Sequence, residues 1–179
     1  MNFRTTLGAA ALAALSMSAG AASQDHANAD AGREAEKAVT ATRLVGTWTL
    51  TAADDVNPDG TRVPAYGPNP QGLLVFLADG RYSVQIFRQS RTRFASNDKR
   101  QGTLEEYKDA SLGMSSHFGR YRVDSEKHTL TFTIERASFP NWDGAIQVRP
   151  FTLNASDLEW RVPSTPDGKT PVSAWHRVR

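Results

Sequence analysis

Gly72-Leu73-Leu74-Val75-Phe76-Leu77-Ala78-Asp79-Gly80-Arg81-Tyr82-Ser83-Val84-Gln85-Ile86-Phe87 decides how the rest of the chain is read. Two β-type apolar runs, 72–77 and 81–87, flank Ala78-Asp79-Gly80, a hairpin signal in which Gly80 supplies the positive φ. In the second run Tyr82, Val84 and Ile86 share one face, and Ser83, Gln85 and Phe87 share the other. Working outward, the same pattern recurs. Leu44 to Ala53 precedes it, ended by Asn57-Pro58-Asp59-Gly60 and a Pro/Gly-rich loop from Pro64 to Pro70. Arg120 to Val123, Thr129 to Ala137, Val148 to Asn154, Asp157 to Pro163 and Thr170 to Arg179 follow. Leu130, Phe132 and Ile134 alternate with Thr131, Thr133 and Glu135, and the last run sets Val172, Ala174, His176 and Val178 opposite Ser173, Trp175 and Arg177. This makes eight short strands with no βαβ rhythm and no internal repeat, so the expected class is all-β, a sandwich or a barrel. Eight antiparallel strands can close without edges around an interior that just holds side chains or one small ligand.

One helix interrupts the strands, expected over Thr103 to Phe118. Thr103 is a natural N-cap, and Glu106 three residues later completes a capping box. Leu104, Tyr107, Ala110, Met114 and Phe118 fall near helical spacing on one face. Gly113 inside it weakens the helix by about 1 kcal/mol relative to Ala, and Gly119 sits where a C-terminal cap would go. Arg88 to Gly102, before the helix, is too polar for a core strand.

The N-terminus is a different kind of sequence. Arg4, an Ala/Leu-rich run from Leu7 to Met17, and small residues with Ala19-Gly20-Ala21 or Ala21-Ala22-Ser23 as cleavage sites read, over 1–23, as a Sec-type export signal. The apolar run is too short to span a bilayer. Residues 24–42 are Ala-rich with interspersed charges and no aromatic residue, a linker or fraying helix. The domain is then 43–179, and the expected destination is the bacterial periplasm or the exterior. With 39% hydrophobic residues and 22% charged ones, the chain can build a core and is too polar for an integral membrane protein. It has no cysteine, hence no disulfide, thiolate metal site or catalytic thiol. Lys plus Arg exceed Asp plus Glu by 21 to 19, and although Arg lifts the pI to about 9.1, a surplus of two does not argue for nucleic acid.

Several segments together resemble the bacterial and fungal lipocalin-like domain family. They are Gly46-Thr47-Trp48, similar to the Gly-x-Trp signature of lipocalins, then Pro58-Asp59-Gly60-Thr61, Tyr66-Gly67-Pro68-Asn69-Pro70, Gly72-Leu73-Leu74, Asp79-Gly80-Arg81-Tyr82-Ser83, Phe94-Ala95-Ser96, Phe118-Gly119 and Ser138-Phe139-Pro140-Asn141-Trp142, in that order. The resemblance covers nearly all of 43–179. It implies an eight-stranded antiparallel barrel with the helix of about 103–118 inserted between strands. It also implies that Trp48 closes the base under Arg177, a cation–π contact of about 0.5–2 kcal/mol.

The candidate chemistry is a ligand site. His26, His117, His128 and His176 show no ligand spacing, so no metal is expected, and no phosphate-cradling loop or nucleophile elbow is present, so no cofactor is called for. Arg81 to Arg100 carries six basic residues and one acid, Asp98. It is either a solvated loop or a basic rim for an acidic ligand, with Arg88 at a strand end and Phe94 as a lid. Gln85, Arg88, Tyr121, Glu135 and Arg149 meet inside if the apolar faces point away from the lumen. Otherwise they face solvent, or Glu135 pairs with Arg149. Phe139, Asn141 and Trp142 either plug one end or form a pocket lip. The ligand-binding set is therefore Tyr82, Gln85, Arg88, Phe94, Tyr121, Glu135, Phe139, Asn141, Trp142 and Arg149, around a small apolar or amphipathic, and in one reading acidic, molecule. The alternative is an isomerase or cyclase using His117, Tyr121 and Glu135 as acid–base groups.

Overall fold

The computed structural model describes residues 26, 29–33 and 41–178. The export signal expected over 1–23 lies outside the described residues, as does most of the linker expected over 24–42. The chain divides into two units, Met1–Ala35 and Glu36–Arg179. In the first, residues 29–33 are helical and exposed, with Arg33 paired to Asp30.

The second unit is a closed barrel. Its strands are β1 (Gly46–Val56), β2 (Arg62–Pro64), β3 (Gln71–Phe76), β4 (Arg81–Phe87), β5 (Met114–Asp124), β6 (Thr129–Ala137), β7 (Ile146–Leu153), β8 (Asp157–Arg161) and β9 (Thr170–Arg177). The order is β2-β1-β3-β4-β5-β6-β7-β8-β9, every pairing is antiparallel, and β1 also pairs with β9. Eight strands thus form the wall, and three-residue β2 extends only the far end of β1, opposite Asp54 to Val56. This extra strand falls in the loop before Gln71, where Pro and Gly mask a three-residue run. The β1–β9 ladder runs from Trp48↔Arg177 to Val56↔Thr170, with a bulge between Leu50 and Ala52.

The period-two alternation sends the apolar faces into the lumen. Leu74, Phe76, Tyr82, Val84, Leu130, Phe132, Ile134, Leu158, Trp160 and Trp175 are all buried, while Gln85 and Glu135, on the alternate faces, are exposed. At one end the ring of Trp48 is wholly buried, its indole N–H donates to the Leu44 carbonyl at 2.9 Å, and Leu44 from the preceding helical turn is itself fully buried. Arg177, opposite Trp48 in the ladder, lays its guanidinium 4.1 Å from the indole centroid. Its two terminal nitrogens donate to the carbonyls of Val45 and Arg43. This end is closed. The opposite end carries the four long connections, 57–70, 88–113, 138–145 and 162–169.

Among the described residues of the second unit, the one helix that exceeds two turns, α1 (Leu104–Leu112), is shorter than expected. Thr103 and Glu106 form the capping box as anticipated. The helix stops at Gly113, whose N–H donates to Asp109, and Met114 to Phe118 are strand, paired with Ser83 to Phe87 of β4. Helix propensity is weak across Ser115-Ser116-His117, and the exposed edge of β4 offers a ladder bond for every second residue there. Gly119 is accordingly not a helix cap. It lies in β5 where the register with β6 slips, and a Cβ there would drive into the Thr133 carbonyl oxygen. The apolar face expected for the helix is not its buried face either: Leu104 is 81% exposed and Tyr107 40%, and the buried helix residue is Glu106.

Gly119→Ala is expected to destabilise the barrel by about 1–3 kcal/mol, the cost of forcing atoms into a packed interior. Chemical denaturation measures it, and an unchanged midpoint with an unchanged slope would show that the β5–β6 bulge does not need glycine.

Candidate functional site

Below its midpoint the lumen is filled by rings. Phe76 packs on Tyr121 at 4.6 Å, Tyr82 on Phe132 at 4.7 Å, Phe132 on Trp160 at 5.5 Å and Trp160 on Trp175 at 5.3 Å between centroids. Above them, toward the end with the long connections, a cavity of about 340 Å³ remains. That volume is in the range of small-ligand sites, which are mostly apolar with a few placed polar groups. Val84 and Ile86 of β4, Trp160 of β8 and Val172 of β9 form its walls, with Trp142 at the side. Tyr66, hydrogen-bonded to Ser115, and Leu112 stand nearer the mouth, where Asp54 and Asp55 of β1 also reach the cavity.

Its most deeply buried polar groups are His117 of β5 and Arg149 of β7, 5% and 3% exposed; Ser173 of β9 is also buried on its wall, and Ser115 and Thr165 line it too. Arg149 Nη2 contacts His117 Nε2 at 3.3 Å and donates to Gln147 Oε1 at 2.6 Å. His117 Nδ1 lies 2.8 Å from the Tyr82 hydroxyl. A guanidinium has donors only, so Nε2 must accept, and the neutral ring then carries its proton on Nδ1 and donates it to Tyr82. Trp142 meets the imidazole edge-on at 5.9 Å, and Phe139 packs edge-on against Trp142.

Burial sets the charge states. Loss of water, then the adjacent guanidinium, pushes His117 from its ordinary 6.5 down to about 3, so the ring is neutral. Burial raises the Tyr82 phenol well above its usual value. The same burial pulls Arg149 down to about 10, so it remains a cation at neutral pH. The guanidinium lies 4.7 Å from the Phe132 centroid and 5.6 Å from that of Trp160, so two ring faces offset part of its desolvation. Among the described residues no carboxylate forms an ion pair with it, and its Nε has no hydrogen-bond partner. The Trp160 indole nitrogen is likewise buried and unpartnered.

The structure brings together some of the residues singled out in the sequence and separates others. Arg149, Trp142 and His117 line the cavity, and Tyr82 supports His117 from below. Tyr121 is inward but near the closed end, donating to the Leu77 carbonyl at 3.1 Å. Gln85 and Glu135 point outward, so Glu135 does not pair with Arg149, and His117, Tyr121 and Glu135 do not converge. Arg88 pairs with Asp109 of α1 at 2.7 Å rather than entering the cavity. Phe94 packs on Tyr107 at 5.3 Å and is no lid. Phe139 is half exposed and supports Trp142 from outside, and Asn141 is exposed and off the cavity wall. Trp160, Tyr66 and Gln147 are not among the site residues expected from the sequence. Trp160 was discoverable from the alternation of its strand, whereas nothing local to Tyr66 or Gln147 places them at a cavity or beside an arginine. Among the described residues there is no cluster of three or more His, Asp or Glu that could hold a metal, and no helix long and apolar enough to cross a membrane.

The folded His117 takes its proton only near pH 3, the unfolded ring near 6.5. Between those values the unfolded state binds more protons. The contribution of the neutral ring is therefore complete above pH 6.5 and declines as pH falls toward 3. His117→Gln is expected to flatten the fall in stability between pH 6.5 and about 4.5, before carboxylates dominate, as read by urea denaturation across that window. An unaltered slope would mean that the ring is not held neutral.

The sequence model of the lipocalin-like domain matches residues 45–178. That is most of the chain and the whole barrel wall, and the chain belongs to the lipocalin-like domain family. A search of curated proteins finds no match.

Proposed function

We propose that this member of the lipocalin-like domain family is an exported binding protein that takes one small apolar or amphipathic molecule into the upper half of its barrel. The observation that carries the reading is the cavity itself: about 340 Å³, walled by Val84, Ile86, Trp142, Trp160 and Val172, in an otherwise ring-filled lumen. Removing an apolar molecule from water into such walls supplies about 25 cal/mol for each Å² buried. Binding rather than catalysis is favoured because the candidate acid–base residues stand apart, and His117 is tied into hydrogen bonds with Tyr82 and Arg149. Export is supported by the charge, apolar run and small residues of 1–23 in the order of a signal peptide.

Two of the four tryptophans, Trp142 and Trp160, line the cavity. Titration with fatty acids, isoprenoids, sterols and aromatic metabolites is expected to give a saturable change in tryptophan emission with at least one class. Trp142→Phe should reduce its amplitude. The proposal is overturned if the panel produces no saturable change and native mass spectrometry of protein from its own host shows only the bare chain.

Export has its own test. N-terminal sequencing of protein recovered from the periplasm or medium is expected to begin at Ala22 or Gln24. Protein confined to the cytoplasm and still beginning at Met1 would remove that part of the proposal.

A further inference from the structure

Arg149 is a buried cation in an apolar lumen, with no carboxylate paired to it among the described residues and with Nε unpartnered. Burying a lone charge is among the costliest arrangements a core contains, and one-sided pairing leaves most of that cost standing. Its visible compensation is a neutral imidazole, one amide oxygen and two ring faces. None of these carries negative charge. Trp160, which lines the same cavity, holds a second buried donor lacking an acceptor in its indole N–H. A surplus of donors around one positive charge is the complement of an anion.

From this we infer that the ligand is a monoanionic amphiphile, a carboxylate on an apolar body, bound with its charged head at Arg149 and its tail toward the mouth. The inference rests on the cavity being a binding site, as proposed above. One cation is present to be neutralised. A monoanion leaves the lumen neutral, and a phosphate monoester would leave excess negative charge in it. The orientation follows from the mouth, where Asp54 and Asp55 reach the cavity. Asp54 has Arg62 at 3.6 Å, and Tyr66 beside them has its phenol raised above its usual range by burial first, with Asp55 a lesser cause. A head-out anion would face these carboxylates, while a head-in anion leaves them to solvent. The walls between, Val84, Ile86, Trp142 and Val172, suit an uncharged body.

The test compares octanoate, octan-1-ol, octylamine and octyl phosphate by isothermal titration calorimetry near pH 7. Octanoate is expected to bind about tenfold or more tighter than octanol, as a charge-assisted hydrogen bond implies, and octylamine weakest. Arg149→Gln should erase the preference of octanoate over octanol while leaving octanol binding in place. Wild-type protein alone gives a second readout if that variant does not fold. With carboxyl-labelled octanoate bound, the ¹³C shift is expected to titrate at lower pH than in free octanoate, because the guanidinium favours the ionised head. Equal binding of octanol and octanoate, tighter binding of octyl phosphate, or a raised carboxyl pKa would each overturn the inference and leave the cavity reading intact. Failure of all four probes, with neutral ligands from the wider panel binding, also overturns it. Failure of every probe and panel member overturns both.

Discussion

The β1–β9 ladder is the constraint on which the other features depend. β1 is paired along one edge to β9 from Trp48 to Val56, and along the other to β3 and then β2. Without that ladder, β9 and β1 would be edge strands, with their backbone groups unpaired and their inward side chains wet. With it, every strand of the wall has two neighbours, and the alternation assigns each side chain to lumen or solvent. The bulge between Leu50 and Ala52 shifts that assignment by one, so Leu50 and Ala53 are both buried. The closed end rests on the same ladder, since its first pair is Trp48 with Arg177.

Two arginines define the two halves of the barrel by how far each is satisfied. Arg177 lies on an indole face and donates to two backbone carbonyls at the barrel base, where it is partly exposed. Its charge is solvated and its donors are occupied, which is the state of a structural residue. Arg149 lies against ring faces too, but it is buried, meets only neutral acceptors and keeps a donor unused. Similar chemistry thus closes one end of the lumen and leaves a buried cation with neutral partners in the other.

The long polar connection before α1 is organised without a core of its own. Glu106 accepts from the backbone of Ala95 and Thr103, Asp109 accepts from Thr92 and from Arg88, and Phe94 meets Tyr107 edge-on. These hydrogen bonds hold the Glu106 and Asp109 carboxyls below their usual range. A basic segment of this kind reads in sequence as either a solvated loop or a rim for an acidic ligand. In the fold Arg88 is spent on fastening the helix, and the cation that faces the cavity comes from the middle of β7.

Local pattern carried the all-β class, the hairpin at Asp79-Gly80 and the capping box at Thr103, because each depends on neighbours within a few residues or on strand alternation, whereas the pairing of Trp48 with Arg177 was implied by the resemblance to the lipocalin-like domain family. The break at Gly113 did not follow from local pattern, because it takes the free edge of β4 to draw Met114 to Phe118 out of a helix. The direction of the faces did not follow either. A period of two separates Ile134 from Glu135 and says nothing about which looks inward until closure makes the lumen. His117, Tyr82, Arg149 and Trp142 lie far apart in the chain, and only the order of β4 to β7 and the loop after β6 brings them to one cavity. The residue types, and with them the charge and the apolar surface, belong to the sequence. Which charge loses its water, and therefore what the cavity asks of a ligand, is decided by burial, and burial exists only in the closed barrel.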